Sequence, residues 1–509
     1  MTSPERRHRA KVLRPQDAVP AADGEPVEST AYRHDTLLVF GRDWDSTLHG
    51  RKFGDFVTES LRRIGIEVVP PLVFHGESEV GQLLHLADQH LEFGLPRQLF
   101  LRPIADVPPT LPLDAWRALQ HVRYAAGRAD ANSQHDTSGW FRERADRIAL
   151  EHVLWSALAR GDGEIFGLPG TEGHGGGDGD LLSDNDPGRV PVRVLVGPPP
   201  RSATAPARRP VVAVLDTPVG PHDWLPMRHP AAVATDYVVD ESLMSFVPTA
   251  GVAGGRVVAP LVGSLDSHAG HGTYIAGIIR QVAPDATVLS IPIMHNDGLV
   301  DEMSLQLALG LVLGRVVAAQ DRGAKDSFVD VVLLSLGYYS ATPHLRPLLW
   351  CILNALTCRG VAIVASAGND ATARKCYPAA WATDKRWGGP LAICSVGALN
   401  PNGTRAIFSN QTDDRAGPDW VTAWEPGVAI VSTFPKMRGS RSAALQNTDY
   451  GRESFDPDDF SHGFGLWRGT SFAAAVKAAK LARSLLGMPG LASVDHRSAE
   501  TRMLKLLTT

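Results

Sequence analysis

The chain has 509 residues, 44% of them hydrophobic and 21% charged, the balance of a folded protein rather than a disordered or membrane-embedded one. Its length suits roughly two to four domains and a sizeable core. Lys+Arg 50 against Asp+Glu 55 leaves −5, so there is no polyelectrolyte signal for nucleic acid.

The basic start, Met1 to Lys11, leads into no apolar segment and therefore does not read as a secretory signal. No stretch reads as long and apolar enough to span a bilayer, so the expectation is a cytoplasmic protein that engages no membrane. Residues 1–35 are polar and rich in Pro, Arg and Glu, as in a disordered lead. Strands are predicted over 36–40 and 66–69, an amphipathic helix over 53–64, and further helices over 113–126 and 140–158. Together they predict an N-terminal α+β domain over 36–168, without a catalytic constellation.

Residues 169–209 read as a linker and connector. Glycine and aspartate crowd 170–180 and again 184–188, as in a flexible tether, and 192–196 has the composition of a short strand. One irregular Gly/Asp copy does not make a repeat-type calcium site.

Four segments then carry chemistry. The apolar run 211–215 ends in Asp216, which predicts a buried parallel strand with a carboxylate at its C-terminal tip. Strand tips line the crevice of an open α/β sheet, although an Asp capping the turn before Pro218 is the competing reading. In His268-Ala269-Gly270-His271-Gly272-Thr273, His271 opens an apolar helix, while His268 reads as a solvated loop residue. The strand 361–366 finishes in Ser366-Ala367-Gly368-Asn369, where the carboxamide suits either an Asx turn or donation to an oxyanion. Gly469-Thr470-Ser471 is a corner running into an Ala-rich helix. Its hydroxyl reads as an N-cap or as a nucleophile at the positive end of the helix.

The four segments together resemble the subtilase family of serine peptidases, in which Asp, His and Ser occur in this chain order. The likeness extends to Val331 through Ser335-Leu336-Gly337, to Tyr377-Pro378-Ala379-Ala380, to 396–410 and to 425–433, and so covers 210–488. It implies a subtilisin-like α/β domain over 210–488 with a mainly parallel sheet flanked by helices, followed by a C-terminal tail over 489–509. It also implies a serine endopeptidase that acts on polypeptide; subtilases are often exported, so the absence of a secretory signal is what makes the expected enzyme intracellular. Ser471 would attack the scissile carbonyl, His271 would shuttle the proton, and Asp216 would orient the imidazole. Asn369 and the Ser471 backbone N–H would hold the oxyanion. Ser335, Leu336 and Gly337 would pair with the substrate backbone, and Ser366, Ala367 and Gly368 would wall the first specificity pocket. No organic cofactor or metal enters this chemistry; a structural calcium ion is left open by the fold, but no ligand set stands out.

The sequence departs from the family pattern at Pro218, Tyr338 and Ala475. Pro218 requires the loop behind Asp216 to turn differently, because proline fixes φ and removes an N–H. Tyr338 would narrow or reshape the substrate pocket, and Ala475 suits a helix better than the usual Pro. The alternative to an enzyme is a non-catalytic peptide-binding scaffold in which Pro218 or Tyr338 disables turnover.

Two roles stand open for the N-terminal domain: a propeptide that blocks the cleft and is cut away, or a permanent module that binds a partner protein or regulator. Its length and the missing secretion signal favour the permanent module. Cys351, Cys358, Cys376 and Cys394 read as buried free thiols of a reducing compartment. The acidic run Asp456 to Asp459 reads as an exposed loop, the segment 237–267 as a surface excursion with one or two strands, and Trp224 as a core residue.

Overall fold

The computed structural model describes residues 10–69, 78–105, 112–131, 139–156, 189–204, 206–226, 233–234, 257–259, 264–388, 391–412, 419–439, 443 and 445–507. The Gly/Asp-rich tether at 170–188 lies outside them.

The C-terminal half is built on seven parallel strands. Their spatial order is Val233–Ala234, Thr287–Pro292, Val211–Asp216, Val331–Leu334, Ala362–Ser366, Ile393–Leu399 and Ala423–Pro426. Central parallel strands are covered on both faces, which is why they read as unbroken Val/Ile/Leu/Ala runs. Side chains alternate between the two layers. Val211, Ala213 and Leu215 enter one core with the helices Glu302–Arg322 and Leu348–Cys358. Val212 and Val214 enter the other with His271–Val282 and Thr470–Leu486. That alternation aims Asp216 at the face carrying both His271 and Ser471. The architecture is the expected α/β class.

The N-terminal unit has an antiparallel sheet in the order Ile66–Val69, Pro96–Pro103, Thr30–Phe40 and Ala149–Ser156, with Ala10–Leu13 paired to the start of Thr30–Phe40. Phe53–Arg62, Ala115–Ala131 and Trp140–Asp146 cover its separate core. A fourth helix, Glu79–Gln89, lies against Glu302–Arg322 of the C-terminal half. At that crossing a side chain on Gly314 would collide with the Leu83 carbonyl, and one on Gly310 would press on Leu95 and Leu84. Glycine permits the close approach, and one continuous core runs across both units, including Leu84, Leu95, Val153, Leu154, Leu309 and Val312.

Several expectations need correction. The lead over 1–35 is not disordered throughout: Ala10–Leu13 is a strand, and Leu13, Ala21 and Tyr32 are core residues. Its polar composition hid pairings such as Lys11 with Asp114. The helix expected over 140–158 stops at Asp146, and Ala149–Ser156 is a strand. Near the tether, the strand is Val190–Pro191 rather than 192–196. The tail over 489–509 carries the helix His496–Leu507, whose Met503 and Leu506 complete the second core. Asp456 and Asp458 are buried rather than exposed, and Arg438 donates to Asp456 at 3.0 Å. All four cysteines are free, but Cys358 is exposed. Glu302–Arg322 does have the length and hydropathy of a membrane span; 89% of its most apolar 18-residue window is buried inside the molecule. Of the excursion at 237–267, the described part holds the paired strands Val257–Ala259 and Ser264–Leu265. Trp224 is buried as expected.

Candidate active site

Asp216 ends its strand in a fully enclosed position, and its Oδ1 accepts from the Thr217 N–H at 2.7 Å and from His271 Nδ1 at 2.7 Å. A carboxylate fixed in this way sets the ring plane and the tautomer, with the proton on Nδ1. The start of the His271–Val282 helix is locked to the same corner. The Gly272 N–H donates to Thr217 Oγ1 at 2.8 Å, and a side chain on Gly272 would run into the Thr217 carbonyl. Pro218 does not dislodge this corner: two residues on, the Gly220 N–H donates to Thr273 Oγ1 at 2.9 Å and ties the loop back to the helix.

Ser471 is buried in the first turn of Thr470–Leu486. Its Oγ lies 3.4 Å from the Ser335 carbonyl, and the ring of the next residue, Phe472, sits 5.4 Å from the His271 ring. Phe472 and Trp467 pack against the imidazole and help exclude water from it, and Tyr274 packs against both of them. The structure thus brings the tips and turns carrying Asp216, His271 and Ser471 to one place.

Asn369 has one end fixed and one end unspent. Its Oδ1 accepts the Thr470 N–H at 3.0 Å, and its buried Nδ2 has no partner among the described residues. A buried amide donor held without a partner is costly and suits a developing negative charge. The Gly368 N–H lies 3.3 Å from Thr470 Oγ1, which joins the Ser366-Ala367-Gly368 turn to the nucleophile corner. Gly368 has φ +104°, and a side chain there would meet the Asn410 amide. Asn410 braces the turn, donating to the Ala367 carbonyl at 3.0 Å and accepting from the Asp370 N–H at 2.9 Å. Burial pushes the Asp370 carboxyl above the usual carboxylate range, and Tyr339 donates to it at 2.6 Å.

His268, expected in solvent, is 3% exposed; it lies 2.9 Å from Ser267 Oγ, with its ring 5.5 Å from that of His271. The reason is Gly298, at φ +84°, whose backbone closes over the His268 ring so tightly that no side chain would fit.

Sequence reasoning missed Ser156. The strand Ala149–Ser156 runs between two short strands of the C-terminal half and pairs antiparallel with both. Trp155 faces Leu299 on one side and Gly337 on the other; Ser156 faces Leu336 and donates its N–H to Gly298 at 2.9 Å. Ser335, Leu336 and Gly337 were expected to pair with a substrate strand; here Leu336 and Gly337 pair with the chain's own. Ser156 Oγ lies 3.4 Å from His271 Nε2, and the Trp155 ring packs 5.5 Å from Tyr339. Among the described residues, no group of three or more His, Cys, Asp or Glu side chains forms a metal-binding cluster.

Comparison with known proteins points to one family. The model of the Subtilase family matches residues 207–505, more than half of the chain. The chain is similar to Subtilisin BL of Lederbergia lenta, 31% identical over 40% of this chain and 65% of that protein. It is also similar to Mycosin-4 of Mycobacterium tuberculosis, 30% identical over 36% of this chain and 43% of that one. It therefore spans less than two thirds of the length of these curated relatives. Among solved structures, fervidolysin from Fervidobacterium pennivorans aligns with 90% of this chain and 55% of its own at 17% identity, with a TM-score of 0.41. On the family match and the parallel-sheet architecture, the chain belongs to the subtilase family.

Proposed function

We propose that this chain is a serine endopeptidase whose N-terminal unit holds the substrate cleft shut. Ser471 Oγ attacks the carbonyl carbon of the scissile peptide bond, and His271 Nε2 takes its proton. Asp216 keeps the ring oriented and stabilises the imidazolium. The Asn369 amide and the Ser471 N–H receive the oxyanion. His271 then returns the proton to the leaving amine, and water resolves the acyl-enzyme. No cofactor takes part. The observation that carries this reading is the Asp216–His271 hydrogen bond at 2.7 Å, with Ser471 and the unspent Asn369 amide gathered beside it.

The substrate is an extended polypeptide, a reading supported by the way the Ala149–Ser156 strand lies in the cleft. That strand acts as a built-in occupant: while it stays, other chains are kept out. The bonds Ser156–Ala157 and Ala157–Leu158, next along the chain, are the candidates for self-cleavage. Four free thiols support a reducing, cytoplasmic setting.

The test is fluorophosphonate labelling of the full chain beside Ser471→Ala, read by intact mass. One adduct on the wild type and none on the variant is expected, together with a fragment ending at Ser156 or Ala157 in the wild type alone. If the wild type takes no adduct either full-length or after its N-terminal unit has been cut off by added protease, the reading falls and the peptide-binding scaffold replaces it.

A further inference from the structure

The strand in the cleft brings one polar side chain to a buried acidic place outside the triad. His152 lies four residues before Ser156. Its Nδ1 donates to Glu302 Oε2 at 2.6 Å, and its backbone N–H reaches the same oxygen at 3.2 Å. The imidazole lies 4.4 Å from the Tyr338 ring, with 33° between their planes. Glu302 is 1% exposed, and its other oxygen accepts from Gln306 at 2.8 Å. The Tyr338 hydroxyl is buried and has no partner among the described residues.

Both walls belong to the C-terminal half and directly extend the strands that grip the chain in the cleft. Glu302 follows Leu299–Asp301, and Tyr338 follows Leu336–Gly337. Glu302 is also the first residue of the helix Glu302–Arg322, where the helix dipole favours a negative charge. When the N-terminal strand leaves, His152 leaves with it, and so does Arg33, which lies 3.5 Å from Asp301. The cleft keeps two adjacent acidic residues and loses the cationic and donor groups that faced them. Gln306 still serves one oxygen of Glu302, but the other loses both of its donors, and a carboxylate oxygen left unmet is costly, so this place favours whichever chain brings a donor.

We infer that Glu302 and Tyr338 form a specificity pocket for a basic or imidazole side chain, carried four residues N-terminal to the substrate residue that lies over His271. The substrate class is then an extended polypeptide with His, Lys or Arg at that place. The carboxylate takes the donated hydrogen bond, and the tyrosine ring takes the flat or charged face. An alanine offers Glu302 Oε2 only its backbone N–H, and an acidic residue is repelled. This inference rests on the peptidase reading above.

The test compares three blocked peptides, X-Val-Leu-Trp-Ser-Ala-Leu with X as His, Ala or Glu, on full-chain protein that has processed itself and been diluted until its N-terminal fragment has left. The expected order in kcat/KM is His above Ala above Glu, with His over Ala by about 10- to 100-fold, the range of one hydrogen bond to a charged group. In Glu302→Gln the His-to-Ala ratio is expected to fall towards one. Cleavage of the His and Ala peptides at equal rates, or a ratio that survives Glu302→Gln, overturns the pocket and leaves the peptidase standing. No turnover of any peptide overturns the peptidase reading and the pocket with it.

Discussion

His271 Nε2 lies 3.4 Å from the hydroxyl of Ser156, while Nδ1 of the same ring is bonded to Asp216. Both nitrogens of the imidazole are thus engaged, one of them by the N-terminal unit. The residue that serves Ser471 in the proposed reaction is the one the cleft strand covers.

Loosening the seat of that unit should uncover the nucleophile. A side chain at Gly314 collides with backbone, the Leu83 carbonyl, whereas one at Gly310 meets only the ends of Leu95 and Leu84. Gly314→Ala is expected to weaken the folded state by about 1–3 kcal/mol and to speed fluorophosphonate labelling of Ser471. Gly310→Ala should do less, since the better helix propensity of Ala offsets a small adjustment of side chains. Urea melts and labelling rates measured side by side check this order.

Asn369→Ala removes the one side-chain donor assigned to the oxyanion. Turnover is expected to fall by about 10²–10³ with KM little changed, the range seen on removing such a donor from subtilisin. Steady-state kinetics on a peptide long enough to fill the cleft give the split between the two constants.

Arg208 is buried just ahead of the strand Val211–Asp216. It grips Asp330 through two hydrogen bonds, one at 2.7 Å, while Asp330 also accepts the Val211 N–H at 2.9 Å. Arg208→Met should cost about 3–5 kcal/mol, because a buried carboxylate is left without its cation. Arg208→Met with Asp330→Asn should recover part of that loss. Denaturant melts in a Ser471→Ala background, where self-cleavage cannot intrude, check both.

Burial pushes the Glu151 carboxyl well above the usual carboxylate range, against the pull of Arg33 3.6 Å away. A folded-state value raised in this way contributes stability that is intact below the unfolded carboxylate pKa and is lost as pH rises through the folded one. The thermal midpoint of the Ser471→Ala protein should therefore decline between about pH 5 and 8. Glu151→Gln should flatten the decline, because the amide has no proton to lose. Scanning calorimetry at a series of pH values gives the slope for each protein.

Asp216, His271 and Ser471, the residues proposed to act together, were legible because each sits at a local signature. Asp216 ends an apolar strand, and His271 and Ser471 open helices after the glycine corners Gly270 and Gly469; at Gly270, with φ +79°, a side chain would run into Pro435 and Phe434. Ser156 had no such signature. In Ala149–Ser156 the apolar residues at 149, 150, 153 and 154 match a helical spacing as well as a strand. What decides the matter is pairing with Leu299–Asp301 and Leu336–Gly337, far along the chain. The burial of His268 was hidden for the same reason, since the backbone that covers it belongs to Gly298. Glu302 is a first-turn acid of an apolar helix, and nothing in the sequence sets it apart; only the tertiary contact with His152 does.

The crossing of Glu79–Gln89 over Gly310 and Gly314 separates two events that a cut in the chain would seem to merge. Severing the polypeptide after Ser156 leaves the fragment held by a shared apolar core and by two rows of backbone hydrogen bonds. On the proposed peptidase reading, a nicked molecule therefore remains latent. Its awakening is a dissociation with its own half-life, faster when dilution or a second protease prevents the fragment from returning, and slower when the fragment accumulates. Full-length and nicked protein should look alike in a sizing column yet part company in denaturing gels, and the lag before activity would time the departure rather than the cut.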